Sequence, residues 1–128
     1  MQASDFGVVG EALRLVVEEL SEDAVRMTWT VSPAVHQPAG ILHGGIHCWV
    51  VETLASLGGA AWLADRGTVV GVSNQTDFYR AVQEGRLTST ATPVHRGRSQ
   101  QVWVIQTADE QGRLVARGQV RLQNLAPR

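Results

Sequence analysis

Three observations on this chain predict an α+β fold. One segment, residues 45 to about 64, has the length and Ala/Leu content of a long helix. Around it lie short runs rich in Val, Thr and aromatic residues, separated by turn residues. In the last run, RLVARGQVRLQNL, Leu114, Ala116, Gly118, Val120 and Leu122 alternate with Arg113, Val115, Arg117, Gln119, Arg121 and Gln123. That period of two marks a strand with one covered and one wet face. One long helix with five or six antiparallel strands is an α+β layout, and 128 residues fit one domain, 1–128.

Taken in order, EALRLVVEEL (11–20) is ambiguous: its own propensity favours helix, its neighbours favour strand. AVRMTWTV (24–31) reads as a strand. The helix that follows ends at Asp65-Arg66-Gly67. It is apolar nearly all round, so it must be covered on most sides. A sheet curled around it covers one part, and a partner chain is expected to cover the rest. TVVGVSNQTDFY (68–79) and RLTSTATPV (86–94) read as strands, with Gln83-Glu84-Gly85 as a turn signal between them. QVWVIQTA (101–108) and the last strand form a hairpin through Asp109-Glu110-Gln111-Gly112. Trp49, Trp62 and Trp103 are expected in the core or an interface, and Cys48 as a packed thiol in the apolar helix.

The formal net charge of −1 provides no broad basic field for nucleic acid. All 11 basic residues are arginine, which excludes a Schiff-base lysine and a phosphate-loop lysine. A lone cysteine forms no internal disulfide, which favours a reducing compartment. The N-terminus is too polar and acidic for a secretory signal, and Glu52, Gly58 and Gly59 interrupt the longest apolar run. A soluble, cytoplasmic protein with no membrane partner is expected.

Glu52 is the one acidic residue between Gly40 and Ala64, nine positions after His43-Gly44-Gly45. A carboxylate is costly among apolar residues unless something compensates it. The glycines precede or open the helix, where unpaired N–H groups and the positive dipole end favour a developing oxyanion. Glycine also admits close approach to the backbone. Ser56 is the i+4 neighbour of Glu52 on the same face, and a partly desolvated carboxylate there would be a stronger base. Each residue has a plainer reading: Glu52 as a structural carboxylate, His43 as a turn histidine, Ser56 as a small packing residue, Gln37 as an ordinary loop residue. His43 and His47, four apart, lack the further converging ligands that zinc requires. His95-Arg96-Gly97-Arg98 places a histidine and two arginines in a short turn suited to phosphates. Arg113, Arg117 and Arg121 are expected to form a solvated face.

Gly40-x-x-His43-Gly44-Gly45 followed by Glu52 resembles the hotdog-fold acyl-CoA thioesterases, over residues 6 to 125. It looks most like the branch holding the glutamate-type 4-hydroxybenzoyl-CoA thioesterase and the dihydroxynaphthoyl-CoA thioesterase. The related phenylacetate-pathway enzymes carry aspartate at that place. The branch has a glutamine fifteen before the carboxylate (Gln37), a glycine eight before it (Gly44) and a serine or threonine four after it (Ser56). His43 completes the set. VVGVSNQTDFYRAVQEGRL resembles the family's strand pair. HRGRSQQVW resembles its coenzyme A loop, with His95, Arg96, Gly97 and Arg98, joined by Gly45, as the binding residues.

The resemblance implies a curved antiparallel sheet around one central helix, and hydrolysis of acyl-CoA to free acid and coenzyme A. It implies dimers, or tetramers as dimers of dimers, with Gly44 and Gln37 of one chain facing Glu52 and Ser56 of the other. Gly44 N–H and Gln37 would polarise the carbonyl; Glu52 would activate water or form a mixed anhydride. No metal or redox cofactor is required, coenzyme A being part of the substrate. The branch suggests an aromatic or hydroxyaromatic acyl group; related enzymes take medium or long aliphatic chains. Other classes are a non-hydrolytic acyl-CoA-binding sensor and a hydratase or dehydratase, which uses a differently placed His and acid.

Overall fold

A computed structural model describes residues 1–128. A 3-10 turn, Ala3–Phe6, leads into the short helix α1 (Gly7–Ala12), and the strand β1 spans Val16–Leu20. The ambiguous segment 11–20 therefore contains both structures. They divide at Arg14, whose φ of 49° stops the helix and turns the chain. Leu13 and Leu15 on either side are buried and pin this junction to the core. No signal in the sequence had marked the residues before Glu11 as helical.

β2 (Val25–Val31) follows, then the long helix α2 (Gly44–Leu63), then β3 (Thr68–Phe78), β4 (Gly85–Arg96), β5 (Gln100–Ala108) and β6 (Leu114–Leu125). The strands form one six-stranded antiparallel sheet in the order β1-β2-β4-β5-β6-β3. β3 and β4 are thus not a pair, although they are consecutive. β4, β5 and β6 form a meander whose free side is β6, and β3 docks there as the far edge. Residues 79–84 carry the chain from that edge to β4.

The hairpin over 109–112 forms as expected, with one displacement. Thr107 pairs with Ala116 but Ala108 pairs with Leu114, so Val115 is the extra residue of a bulge. The bulge flips the alternation at that end: Val115 is buried while Leu114 is exposed. Beyond it the period of two holds, with Gly118, Val120 and Leu122 inward and Arg117, Gln119 and Arg121 outward. Pro93 sits in β4 beside another bulge, where a missing N–H is tolerated.

α2 lies on one face of this sheet. Val50, Val51, Leu54 and Ala55 are buried against a core that includes Met27, Trp29, Trp103, Ile105, Val120 and Leu122. Close contact requires the paired glycines. A Cβ on Gly58 would lie 2.7 Å from the Trp103 ring, and one on Gly59 would collide with Leu122. No helix is long and apolar enough to cross a membrane.

The fully buried polar groups are paired. Trp29 Nε1–H donates to Ser89 Oγ at 2.9 Å, which shares a 2.6 Å hydrogen bond with Thr107 Oγ1. Gln101 bridges the helix and sheet by donating to Gly59 O and accepting from Trp103 Nε1–H. His47 is the exception: its Nδ1 is enclosed without a partner.

Candidate active site

Gly44 is the first residue of α2 and His43 its N-cap. The His43 ring folds back, and its Nδ1 accepts the Gly45 N–H at 2.8 Å. This satisfies one of the N–H groups that a helix start leaves unpaired. The Gly44 N–H lies at the first helical position and has no partner within the helix, so it is the amide left for an incoming oxygen. Gly45 is therefore not a free donor; it remains a point of close approach. A Cβ on Gly44 would overlap the Phe78 ring, so a larger residue there would have to push that ring aside.

Gln37 lies on the loop before the helix, which Gly40 turns with a φ of +82° and which a His36–Leu42 bridge closes. The Gln37 side-chain Oε1 accepts the Ala39 N–H, leaving its amide NH₂ as the free end. Gln37 and Gly44 line one cavity of about 260 Å³, together with Leu42, His47, Phe78 and Tyr79. Two candidate donors and an apolar, aromatic wall thus share one space.

Glu52 and Ser56 line a different and larger cavity, of about 740 Å³, with Gly45, Cys48, Trp49, Thr53 and Asn74. Glu52 is exposed in the single chain, not desolvated as the apolar surroundings had suggested. The residues flanking it in sequence are apolar, but α2 holds its carboxyl on an open cavity beside the edge strand β3. It makes no ion pair or hydrogen bond within the chain, and Gly71 of β3 leaves its carboxyl room, since a Cβ there would lie 3.3 Å from Cδ. Cys48 is half-buried on this cavity rather than packed in the core. Asn74 went unnoticed in the sequence. Its Nδ2 donates to Cys48 O at 3.0 Å and its Oδ1 accepts from Thr76, so β3 is tied to the helix beside Glu52.

The basic turn lies at the opposite end of α2. His95 and Arg96 end β4, and Gly97, Arg98 and Ser99 make the turn into β5. Arg96 is already engaged: it donates to Glu22 O at 2.7 Å, pairs with Asp23 at 3.2 Å and lies 5.5 Å from the Trp62 ring centroid. Arg98 is exposed, with no side-chain bond. Arg66, which the sequence had offered only as part of a helix stop, also stacks on Trp62, at 4.4 Å from its ring centroid. Arg66, Arg96 and Arg98 line a cavity of about 590 Å³ with Trp62 and Asn124.

The comparisons with known proteins agree with this architecture. The sequence profile of the thioesterase superfamily matches residues 39–116. The proofreading thioesterase EntH of Cronobacter sakazakii is 37% identical over 113 residues, covering 88% of this chain and 82% of that protein. AziG of S. sahachiroi is 57% identical in its crystal structure, with a TM-score of 0.89 over 94% of this chain and 98% of that one. Thioesterase HI1161 of Haemophilus influenzae is 33% identical, with a TM-score of 0.84 over 91% and 81% of the two chains. The helix-on-sheet fold and these matches lead to one conclusion: the chain belongs to the thioesterase superfamily, as a hotdog-fold enzyme that hydrolyses thioesters.

Proposed function

We propose that the substrates are acyl-CoA thioesters with an aromatic or hydroxyaromatic acyl group, cleaved at sites built from two chains of one dimer. The separation of the polar residues carries this reading. Gln37 and Gly44 line one cavity, while Glu52 and Ser56 line another. A carboxylate outside the carbonyl cavity of its own chain needs a second copy to bring one to it. The exposed edge strand β3, with Val70, Val72 and Phe78 uncovered, offers a place for that copy.

In this arrangement the Gly44 N–H and the Gln37 amide donate to the thioester oxygen. The negative charge of the tetrahedral intermediate then meets fixed donors and the positive end of α2. Glu52 of the other chain acts on the opposite face of the carbonyl. Either it takes a proton from water, with Ser56 holding that water, or it attacks the carbonyl itself and the mixed anhydride is then hydrolysed. Both routes expel the coenzyme A thiolate and yield the free acid. His43 fixes the turn by occupying Gly45, which leaves Gly44 alone to bind. The aromatic lining of the carbonyl cavity by Phe78 and Tyr79 supports a flat acyl group. The cationic cavity of Arg66, Arg96 and Arg98 supports the phosphates of coenzyme A.

Release of free thiol from benzoyl-CoA, with hexanoyl-CoA as the control, tests the proposal. Faster turnover of benzoyl-CoA is expected. Preference for hexanoyl-CoA would replace it with an aliphatic acyl-CoA thioesterase, and binding without thiol release would make the chain an acyl-CoA-binding protein.

A further inference from the structure

His47 is absent from the chemistry above, yet it is the one buried side chain with an unsatisfied nitrogen. It lies one helical turn beyond Gly44, only 3% exposed. Its ring stacks on Phe78 at 5.5 Å between centroids and meets the edge of Trp29 at 5.7 Å. Nothing charged takes part in these ring contacts. A packing role alone would be filled better by an apolar residue, because a buried polar atom without a partner costs about 1–3 kcal/mol. An imidazole kept there at that cost points to a use for its other nitrogen, Nε2, with a partner that is not part of the chain.

The place for such a partner is on the page. His47 lines the same cavity as Gln37 and Gly44. Three residues along the helix amount to about 4.5 Å of rise, comparable with the span of one aromatic ring. A ring held by its carbonyl at Gly44 would therefore bring its far side to the imidazole. Of the two ring nitrogens only Nδ1 is enclosed without a partner, and an acceptor nitrogen tolerates that better than an N–H. The neutral ring then carries its proton on Nε2, the one donor of a side chain that lines the cavity. Burial keeps the ring neutral, its pKa pushed down to about 4.

We infer that His47 determines acyl specificity by donating a hydrogen bond to an oxygen substituent on the aromatic ring of the acyl group. The inference rests on the aroyl-CoA reading above and adds the residue that selects among aroyl groups. A hydroxyl is the fitting substituent, since it is neutral and accepts from Nε2–H; Arg80 is the one charged side chain lining the cavity, and a neutral hydroxyl does not depend on it.

The test compares kcat/KM for benzoyl-CoA and its ring-hydroxylated isomers in the wild type, His47→Leu and His47→Gln. In the wild type one isomer should exceed benzoyl-CoA by roughly tenfold or more. The ratio should collapse toward one in His47→Leu and persist in part in His47→Gln, whose amide keeps a donor. Thermal midpoints and dimer content verify that the variants fold. A wild type that favours no hydroxylated isomer overturns the inference without any variant. So does a ratio that survives in His47→Leu, or a fall in all substrates alike. A wild type that hydrolyses no aroyl-CoA at all is a separate failure: it removes the aroyl reading itself, and this inference with it.

Discussion

Glu52 makes no hydrogen bond or ion pair within its own chain, so its removal should leave folding intact. Glu52→Ala should lower kcat by at least ~10³-fold, within the range for losing a positioned base or nucleophile. Its thermal midpoint should stay within a few degrees of the wild type. Near-normal turnover would reduce Glu52 to a surface residue. His47 presents the reverse case, since burial makes it matter for stability at low pH. Its folded pKa of about 4 lies below the unfolded value of 6.5. Above 6.5 both states hold it neutral and it contributes no pH dependence. Between 6.5 and 4 the unfolded state binds the proton that the folded state refuses, so stability falls as pH falls. The loss should reach about 3 kcal/mol by pH 4, on 1.36 kcal/mol per unit. Urea unfolding at pH 7 and pH 4 should show this slope in the wild type, and His47→Gln should lack that part of it.

At the scale of elements, the long helix was legible because twenty residues of one character between clear stops leave little choice. The final hairpin was legible because alternation and turn residues agree. The strand order was not, because β3 pairs with β6 across 38 (Phe78 to Ala116) to 57 (Thr68 to Leu125) positions and periodicity carries no partner information. Bulges were hidden for a related reason: the flip at Val115 depends on the register of β5 against β6, not on either strand alone. Gly44, Glu52 and Ser56 could be picked from the residues themselves and Gln37 from the family resemblance, which also implied their division between two chains; that they line two separate cavities of one chain needed the fold. The basic turn divides in the same way. Arg96 holds the β1–β2 turn through Glu22 and Asp23, whereas Arg98 is unbonded. Arg98→Ala should raise KM for acyl-CoA with little change in kcat, and should weaken the salt dependence of KM. Arg96→Ala should also lower the thermal midpoint. A thioester lacking the nucleotide should be indifferent to Arg98→Ala; equal effects on both substrates would mean that other residues hold the phosphates.

For the whole molecule, the uncovered edge of β3 and the two separated cavities bear on the same question, how chains associate. A strand of eleven residues with open backbone groups and exposed Val70 and Val72 invites pairing with a second copy. If the copies are related by a two-fold axis, each dimer has two sites, and each site takes Gln37 and Gly44 from one chain and Glu52 and Ser56 from the other. Complementation between two inactive variants then becomes possible. Gln37→Ala should cost roughly 10²–10³ in kcat through the lost carbonyl donor. A mixed dimer of Gln37→Ala with Glu52→Ala holds one site with both defects and one with neither. Unfolding and refolding the two variants together in equal amounts gives mixed dimers in about half of the population, so about a quarter of wild-type activity should return. Light scattering at micromolar concentration should show at least a dimer in every sample. If each site were formed within one chain, every site in the mixture would still carry a defect, and the refolded sample would be no more active than the variants apart.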